Sequence, residues 1–377
     1  MENALKILLL SDTNSEHTEK WAISLAKRGI SIGLFSFNKA PYQWYQNIEN
    51  IEMLYEPDTV LSGTGLIEKV NYFKHISLLK KQVKKFNPDI LHAHYATSYG
   101  LIGALSSFKP LIISVWGSDI FDFPKQNIIY RQLLKYALSK ANVICSTSNC
   151  MKDEAALYTN KSIDVIPFGI DVNKFNRLSN ELPFKSNDEI HIGNIKSLES
   201  KYGIDILIYA FNELCKKYTL KKLVLHLVGS GSEKDAYMQL VKELGISESV
   251  IFTGRIAHDE ISEYHKKLDI FICLSILDSE SFGVSLVEAM ASKTFVIASN
   301  VAGFKEVLGS DNECGRLVSV KSVSEAVDAM MEIIDNPIQA QKKAENARNR
   351  ALRLYNWEDN IQQMIDVYSQ LMKSKRA

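Results

Sequence analysis

The sequence predicts an α/β chain of two doubly wound parallel-sheet domains in series, on three observations. The chain has 377 residues, more than one ordinary domain holds, and enough for two hydrophobic cores. Short apolar strands alternate with amphipathic helices from end to end, the pattern of βαβ units whose sheets are covered on both faces. The alternation breaks once, at the polar, aperiodic stretch 171–189, and then restarts.

In the first half, "LKILLLS" is a buried strand and "EKWAISLAKRG" a helix closed by Gly29. "ISIGLFSF" is the next strand. Residues 66–86 form a long helix, because Leu66, Val70, Phe73, Ile76, Leu79, Val83 and Phe86 recur at steps of three and four. "PDILHAH", "KPLIISVWG" and "ANVICSTS" are strands with helices between them. In the second half the strands are "IHIGNI", "KLVLHLVG", "SVIFTG", "LDIFICLS" and "FVIAS". After 320 the chain is mostly helical. The expected domains are 1–173, joined by a returning helix at 358–377, and 174–357.

Composition excludes several classes. Lysine plus arginine equals aspartate plus glutamate at 44 each, so no nucleic acid partner is expected. No stretch approaches the roughly 18 apolar residues of a membrane span. The start has no basic leader or cleavage site. Five cysteines, odd in number and without a CxxC, fit a reduced, cytoplasmic chain. Cys273, inside "IFICL", reads as a buried core thiol.

Doubly wound domains place ligands beyond the carboxyl ends of their strands, so chemistry is expected in the loops that follow strands. The loop after "LDIFICLS" is "DSESFGVSLVEAMA". Asp278, Ser279 and Ser281 suit a helix N-cap, and Gly283 would let a phosphate approach the backbone. Free amides at a helix start attract anions, and Glu288, one turn in, can accept hydrogen bonds from sugar hydroxyls. A capped surface helix with two solvated glutamates explains the spacing as well.

The wider pattern resembles family-four, or group 1, retaining glycosyltransferases of the GT-B fold. Their signature is two glutamates with seven residues between, here Glu280-Ser-Phe-Gly-Val-Ser-Leu-Val-Glu288. The resemblance runs through nearly all of 190–335. It is weaker in "DILHAHYATSYG", "VWGSDI" and "IPFGIDVNKF". It implies two Rossmann-like domains facing a cleft, with the donor in the second and the acceptor in the first. It also implies that Glu288 holds the nucleotide ribose and Glu280 the transferred sugar. Ser281 and the amides of Phe282, Gly283 and Val284 would meet the diphosphate.

Lys196 and Lys201 in "NIKSLESKYGID" would neutralise the leaving diphosphate, the charge that grows in the transition state. Relatives more often have arginine at the first position, which would offer bidentate geometry. A solvated charged loop is the plain alternative. Gly229 and Gly231 of "VGSGSE" are expected where backbone lies against the donor, and Arg255 and Ile256 of "TGRIAHD" where it reads the base.

The first domain is less informative. "SDTNSEHTEKW" replaces the usual glycine-rich loop, and His17 stands where acceptor or donor sugar could be touched. His92 and His94 share a strand face without a third zinc ligand, so no metal is expected; His92 reads as structural and His94 as lining the cleft. Asp119 is expected to face the cleft. Trp116 stands where many relatives have histidine, Lys293 where glycine is common, and Phe295 where proline is common.

The function expected is retaining, metal-independent transfer from a UDP- or GDP-sugar, without a cofactor, to a glycan or lipid-linked acceptor, in surface polysaccharide synthesis. Lys69, Lys74, Lys80, Lys81, Lys84 and Lys85, with only Glu68 near them, could meet an anionic membrane at the inner face of the cell membrane or be a solvated face. A sugar-nucleotide epimerase or hydrolase would turn over donor without acceptor. An oxidoreductase would need GxGxxG after the first strand, which is missing. An inactive nucleotide-sugar binding protein would not need both lysines and both glutamates.

Overall fold

The computed structural model describes residues 4–40, 44–57, 66–177, 189–219, 221–257 and 260–376, without the side chains of 66–74 and 376. The chain divides into two compact units. The first comprises Met1–Ile166 and Asp359–Ala377, the second Pro167–Glu358.

The first unit holds a seven-stranded parallel sheet. Its strands are β1 (Lys6–Leu10), β2 (Ser31–Phe35), β3 (Ile51–Tyr55), β4 (Ile90–His94), β5 (Leu111–Val115), β6 (Val143–Ser146) and β7 (Ile163–Val165). Their order is β3-β2-β1-β4-β5-β6-β7. β1 pairs with β2 through Leu8↔Gly33 and with β4 through Leu9↔His92. β4 and β5 are buried at every position, so they read as continuous apolar runs rather than alternating ones. The winding reverses between β1 and β4, which opens a crevice at the carboxyl ends of those two strands.

The second unit repeats the plan with six parallel strands. They are β8 (Glu189–Ile195), β9 (Lys222–Val228), β10 (Val250–Gly254), β11 (Ile270–Cys273), β12 (Phe295–Ser299) and β13 (Arg316–Val318). The order β10-β9-β8-β11-β12-β13 reverses between β8 and β11.

The expected helix at 66–86 is Leu66–Phe86, and of its stripe Leu79 and Phe86 are buried. The helix Glu16–Ala26 buries Trp21, Ala22, Leu25 and Ala26 and stops at Gly29, which takes φ +79. The last helix, Trp357–Arg376, belongs from Asp359 onward to the first unit. There the Tyr368 hydroxyl lies 2.7 Å from His92 Nδ1 of β4.

Two expectations are corrected. β3, β7 and β13 are strands that the sequence did not show. All three are edge strands, and edges carry weak apolar patterns. The stretch 171–189 is not all linker. Phe175 and Arg177 are each 2% exposed, and Asp171 accepts from the amides of Asn173 and Lys174. The rest of that stretch, 178–188, lies outside the described residues.

Candidate active site

The reversal between β8 and β11 brings together two loops far apart in sequence. The loop after β8 carries Lys196 and Lys201; the loop after β11 carries Glu280. Lys196 Nζ lies 2.6 Å from Glu280 Oε2, with the two side chains 19% and 12% exposed. Ser275 Oγ donates to the same oxygen at 3.3 Å. The ammonium groups of Lys196 and Lys201 sit 4.6 and 5.0 Å from the centre of one ring, Tyr202. The Ile276 amide donates to the Lys201 carbonyl at 2.9 Å and joins the loops. Burial pushes the Lys196 pKa down, but the Glu280 carboxylate and Tyr202 more than offset it and hold the lysine above its ordinary value. Lys196 therefore keeps its ammonium charge at neutral pH.

The glutamate loop is anchored by Phe282, 4% exposed, which meets Phe168 and Tyr355 edge-on at 6.1 and 5.2 Å. The helix then begins at Val284 and runs to Ala291. Its cap is not Asp278, Ser279 or Ser281, as expected, but Gly283 in the left-handed conformation at φ +83, with no capping side chain. A Cβ on Gly283 would stand 2.5 Å from Phe304 Cε1, so glycine is required by backbone geometry and by that ring. The first amide to reach back is that of Leu286, to the Gly283 carbonyl at 3.0 Å. The amides of Gly283, Val284 and Ser285 thus form the open end of the helix. Glu288, one turn in, is 5% exposed, with Oε2 3.5 Å from His265 Nε2.

Gly229 and Gly231 do allow a close approach, but of protein backbone. A Cβ on either would lie 2.0 Å from the Lys196 carbonyl oxygen or 2.3 Å from that of Leu198. The Lys196 amide donates to Val228 O and the Leu198 amide to Ser230 O, each at 3.0 Å. These glycines therefore seat the lysine loop. The amide of Gly229 also donates to the Gly254 carbonyl at 2.9 Å, which places exposed Arg255 and half-buried Ile256 beside the same loop. Lys293 takes φ +54, the reason glycine suits that position, and pairs with Glu345 at 3.0 Å. Phe295 is buried in β12.

Sequence reasoning missed Gly303. A Cβ there would lie 2.3 Å from the Glu280 carbonyl oxygen and 2.4 Å from Ser281 C, so the loop bearing Glu280 rests on this glycine. It also missed His265 and Arg177, single polar residues on elements without a telling period.

In the first unit, His17, His94 and Trp116 gather at the carboxyl ends of β1, β4 and β5. His94 is 2% exposed and stacks on Trp116 at 4.4 Å; its Nδ1 is 2.9 Å from Ser11 Oγ. Burial, then His92 and His17, push its pKa well below the ordinary value. His17 is half-buried and meets Trp116 edge-on at 6.0 Å. His92 is wholly buried between Tyr368 and Ser114.

Asp119, expected to face the cleft, is 0% exposed. It accepts from the amides of Ala96, Trp116 and Gly117 at 2.7, 3.1 and 2.8 Å and so joins the loops after β4 and β5. Burial raises its pKa and these amides pull back, leaving it at about 6.

The family described as glycosyl transferases group 1 matches residues 176–350, and that described as glycosyl transferase 4-like matches 6–148. The chain is 24% identical over 314 residues to the N-acetyl-alpha-D-glucosaminyl L-malate synthase of Bacillus anthracis, across 80% of this chain and 79% of that one. It is 24% identical over 307 residues to the gpi3 subunit of phosphatidylinositol N-acetylglucosaminyltransferase of Schizosaccharomyces pombe, across 80% of this chain but 65% of that one. Among solved structures, Anabaena Alr3699/HepE in complex with UDP matches with a TM-score of 0.79 at 17% identity, over 98% of this chain and 100% of that chain. With both halves matched by glycosyltransferase families and two parallel-sheet units of the GT-B fold, the chain belongs to the group 1 glycosyltransferases.

Proposed function

We propose that this protein is a retaining, metal-independent transferase that moves a sugar from a nucleoside diphosphate sugar to a hydroxyl of a glycan or lipid-linked acceptor. The observation that carries it is the Lys196–Glu280 pair, with Lys201, at the β8/β11 reversal. UDP bound in the Anabaena relative supports a uridine donor. Breaking the bond from the sugar carbon to the phosphate oxygen leaves a diphosphate with growing negative charge. Lys196, Lys201 and the amides at Gly283 and Val284 supply positive charge for it. The acceptor oxygen bonds to the sugar carbon on the face the diphosphate leaves. Its proton passes to a donor phosphate oxygen, so no protein nucleophile enters.

Thermal unfolding with a panel of nucleotide sugars, followed by turnover assays, tests this. A true donor at about 100 times its dissociation constant should stabilise the fold by about 2.7 kcal/mol. Transfer should survive a chelator. Loss on chelation, restored by manganese, would overturn the metal-independent part. Donor turnover without acceptor would favour an epimerase or hydrolase, and binding without turnover a binding protein.

The reading extends to contact with an anionic membrane. Of the expected basic helix, Lys80, Lys81, Lys84 and Lys85 are exposed, and Lys85 pairs with Glu52 at 2.9 Å; the side chains of Glu68, Lys69 and Lys74 lie outside the described residues. The helix Ile128–Lys140 is better suited. Ile128 and Ile129 are 63% and 66% exposed, beside exposed Arg131, with exposed Lys140 at the other end of the helix. No acidic residue occurs between Asp122 and Asp153. Apolar side chains among cations fit anionic lipid, with each cation near the surface contributing about 1 kcal/mol. Sedimentation with phosphatidylglycerol vesicles should show binding that weakens with salt. Substituting Ile128→Glu with Ile129→Glu should reduce it more than Lys→Glu at 80, 81, 84 and 85. No binding at low salt would end the idea.

A further inference from the structure

Glu288 has a buried companion. His265, in the helix Ile261–Lys267, is 0% exposed, and neither of its ring nitrogens has a hydrogen-bond partner among the described residues. A buried polar nitrogen left so is destabilising, and among the described residues the carboxylate of Glu288 lies near it, with Oε2 3.5 Å from Nε2. The imidazole is held in place from both ends. The His265 carbonyl accepts from Arg177 Nη2 at 2.6 Å and from Thr294 Oγ1 at 2.9 Å. The ring packs against Phe271 at 5.3 Å and Phe175 at 5.9 Å. Arg177 is thus engaged with the backbone of His265, while the ring faces Glu288 and aromatic carbon.

We propose that His265 is a positioning residue for donor binding, acting through Glu288. A carboxylate has two oxygens. When ribose hydroxyls engage one, a small rotation of the Glu288 side chain brings the other onto the His265 Nε2–H, at ordinary hydrogen-bond distance. The imidazole then fixes the rotamer that grips ribose, as outer partners fix the orientation of a ligating group. The inference rests on Glu288 holding the ribose.

The test compares three variants by donor KM, kcat and calorimetric donor affinity. His265→Leu should weaken donor binding about tenfold, the loss of one charge-assisted hydrogen bond, and leave kcat unchanged. His265→Gln, whose amide nitrogen reaches about as far as Nε2, should stay near wild type. His265→Asn is polar but too short, and should behave like His265→Leu even if the leucine variant fails to fold. In a Glu288→Gln background, His265→Leu should add nothing, whereas a merely structural role would add its full effect. Equal affinities for the Gln and Asn variants, or additive effects in the double variant, would overturn the proposal. If Glu288→Gln alone leaves donor affinity intact, the ribose reading itself fails. If Glu288→Gln weakens binding and His265→Asn does not, only the role of His265 fails.

Discussion

Alanine at Lys196 should lower kcat/KM for the donor by about 30- to 1,000-fold, because losing one preorganised charge at a developing anion costs about 2–4 kcal/mol. The variant should also melt earlier. Lys196 and Glu280 are mostly buried, and truncation leaves the carboxylate with Ser275 and little else. The loss should stay below the roughly 3–5 kcal/mol of a fully buried pair, since Glu280 keeps some solvent. Lys201 is exposed, so Lys201→Ala should slow transfer without lowering the melting temperature. The pH dependence follows from the direction of the Lys196 shift. A lysine held above its ordinary value stabilises the fold at all pH below the ordinary lysine range, and loses this only as pH rises past the raised value. The Lys196 contribution should therefore be flat through neutral pH. Donor kinetics and thermal unfolding of both alanine variants check this; wild-type turnover in both would remove the lysines from the mechanism.

The interior strands were legible because both their faces are buried, which writes an apolar run into the sequence. β3, β7 and β13 were not; each is an edge strand, which pairs on one side only and needs less apolar surface, although the edge strand β10 was legible in "SVIFTG". The site shows the same division. Lys196, Lys201 and Glu280 could be picked out as residue types in loops after strands. That Lys196 takes Glu280 as its partner depends on β8 lying beside β11, which no local pattern states. Gly229, Gly231 and Gly283 were legible as glycines, but not for their cause. The missing side chains make room for the Lys196 and Leu198 carbonyls and for Phe304. Asp119, in a loop after a strand, was expected to face the cleft. Three backbone amides converge on it instead, and convergence of that kind is tertiary.

Glu280→Gln should lower kcat about ten- to a hundredfold while leaving donor affinity intact, and Glu288→Gln should do the reverse. Each glutamate is assigned one charge-assisted hydrogen bond of about 1.5–3 kcal/mol, but at different stages of the reaction. Ribose is bound alike before and during transfer, so the Glu288 contribution is uniform and appears in the donor KM. The sugar ring gains positive charge as its bond to phosphate breaks, so the Glu280 contribution grows toward the transition state and appears in kcat. The pairing of Glu280 with Lys196 sharpens the contrast. In the free protein the two hold each other at 2.6 Å, so neutralising Glu280 releases an ammonium toward the donor phosphates. Donor affinity of Glu280→Gln should therefore equal or exceed that of wild type even as turnover falls. Steady-state kinetics with donor affinity from calorimetry separates the two. A Glu280→Gln variant that keeps its kcat while donor binding collapses would reverse the roles. If neither substitution has an effect, the pair is no more than the start of a helix.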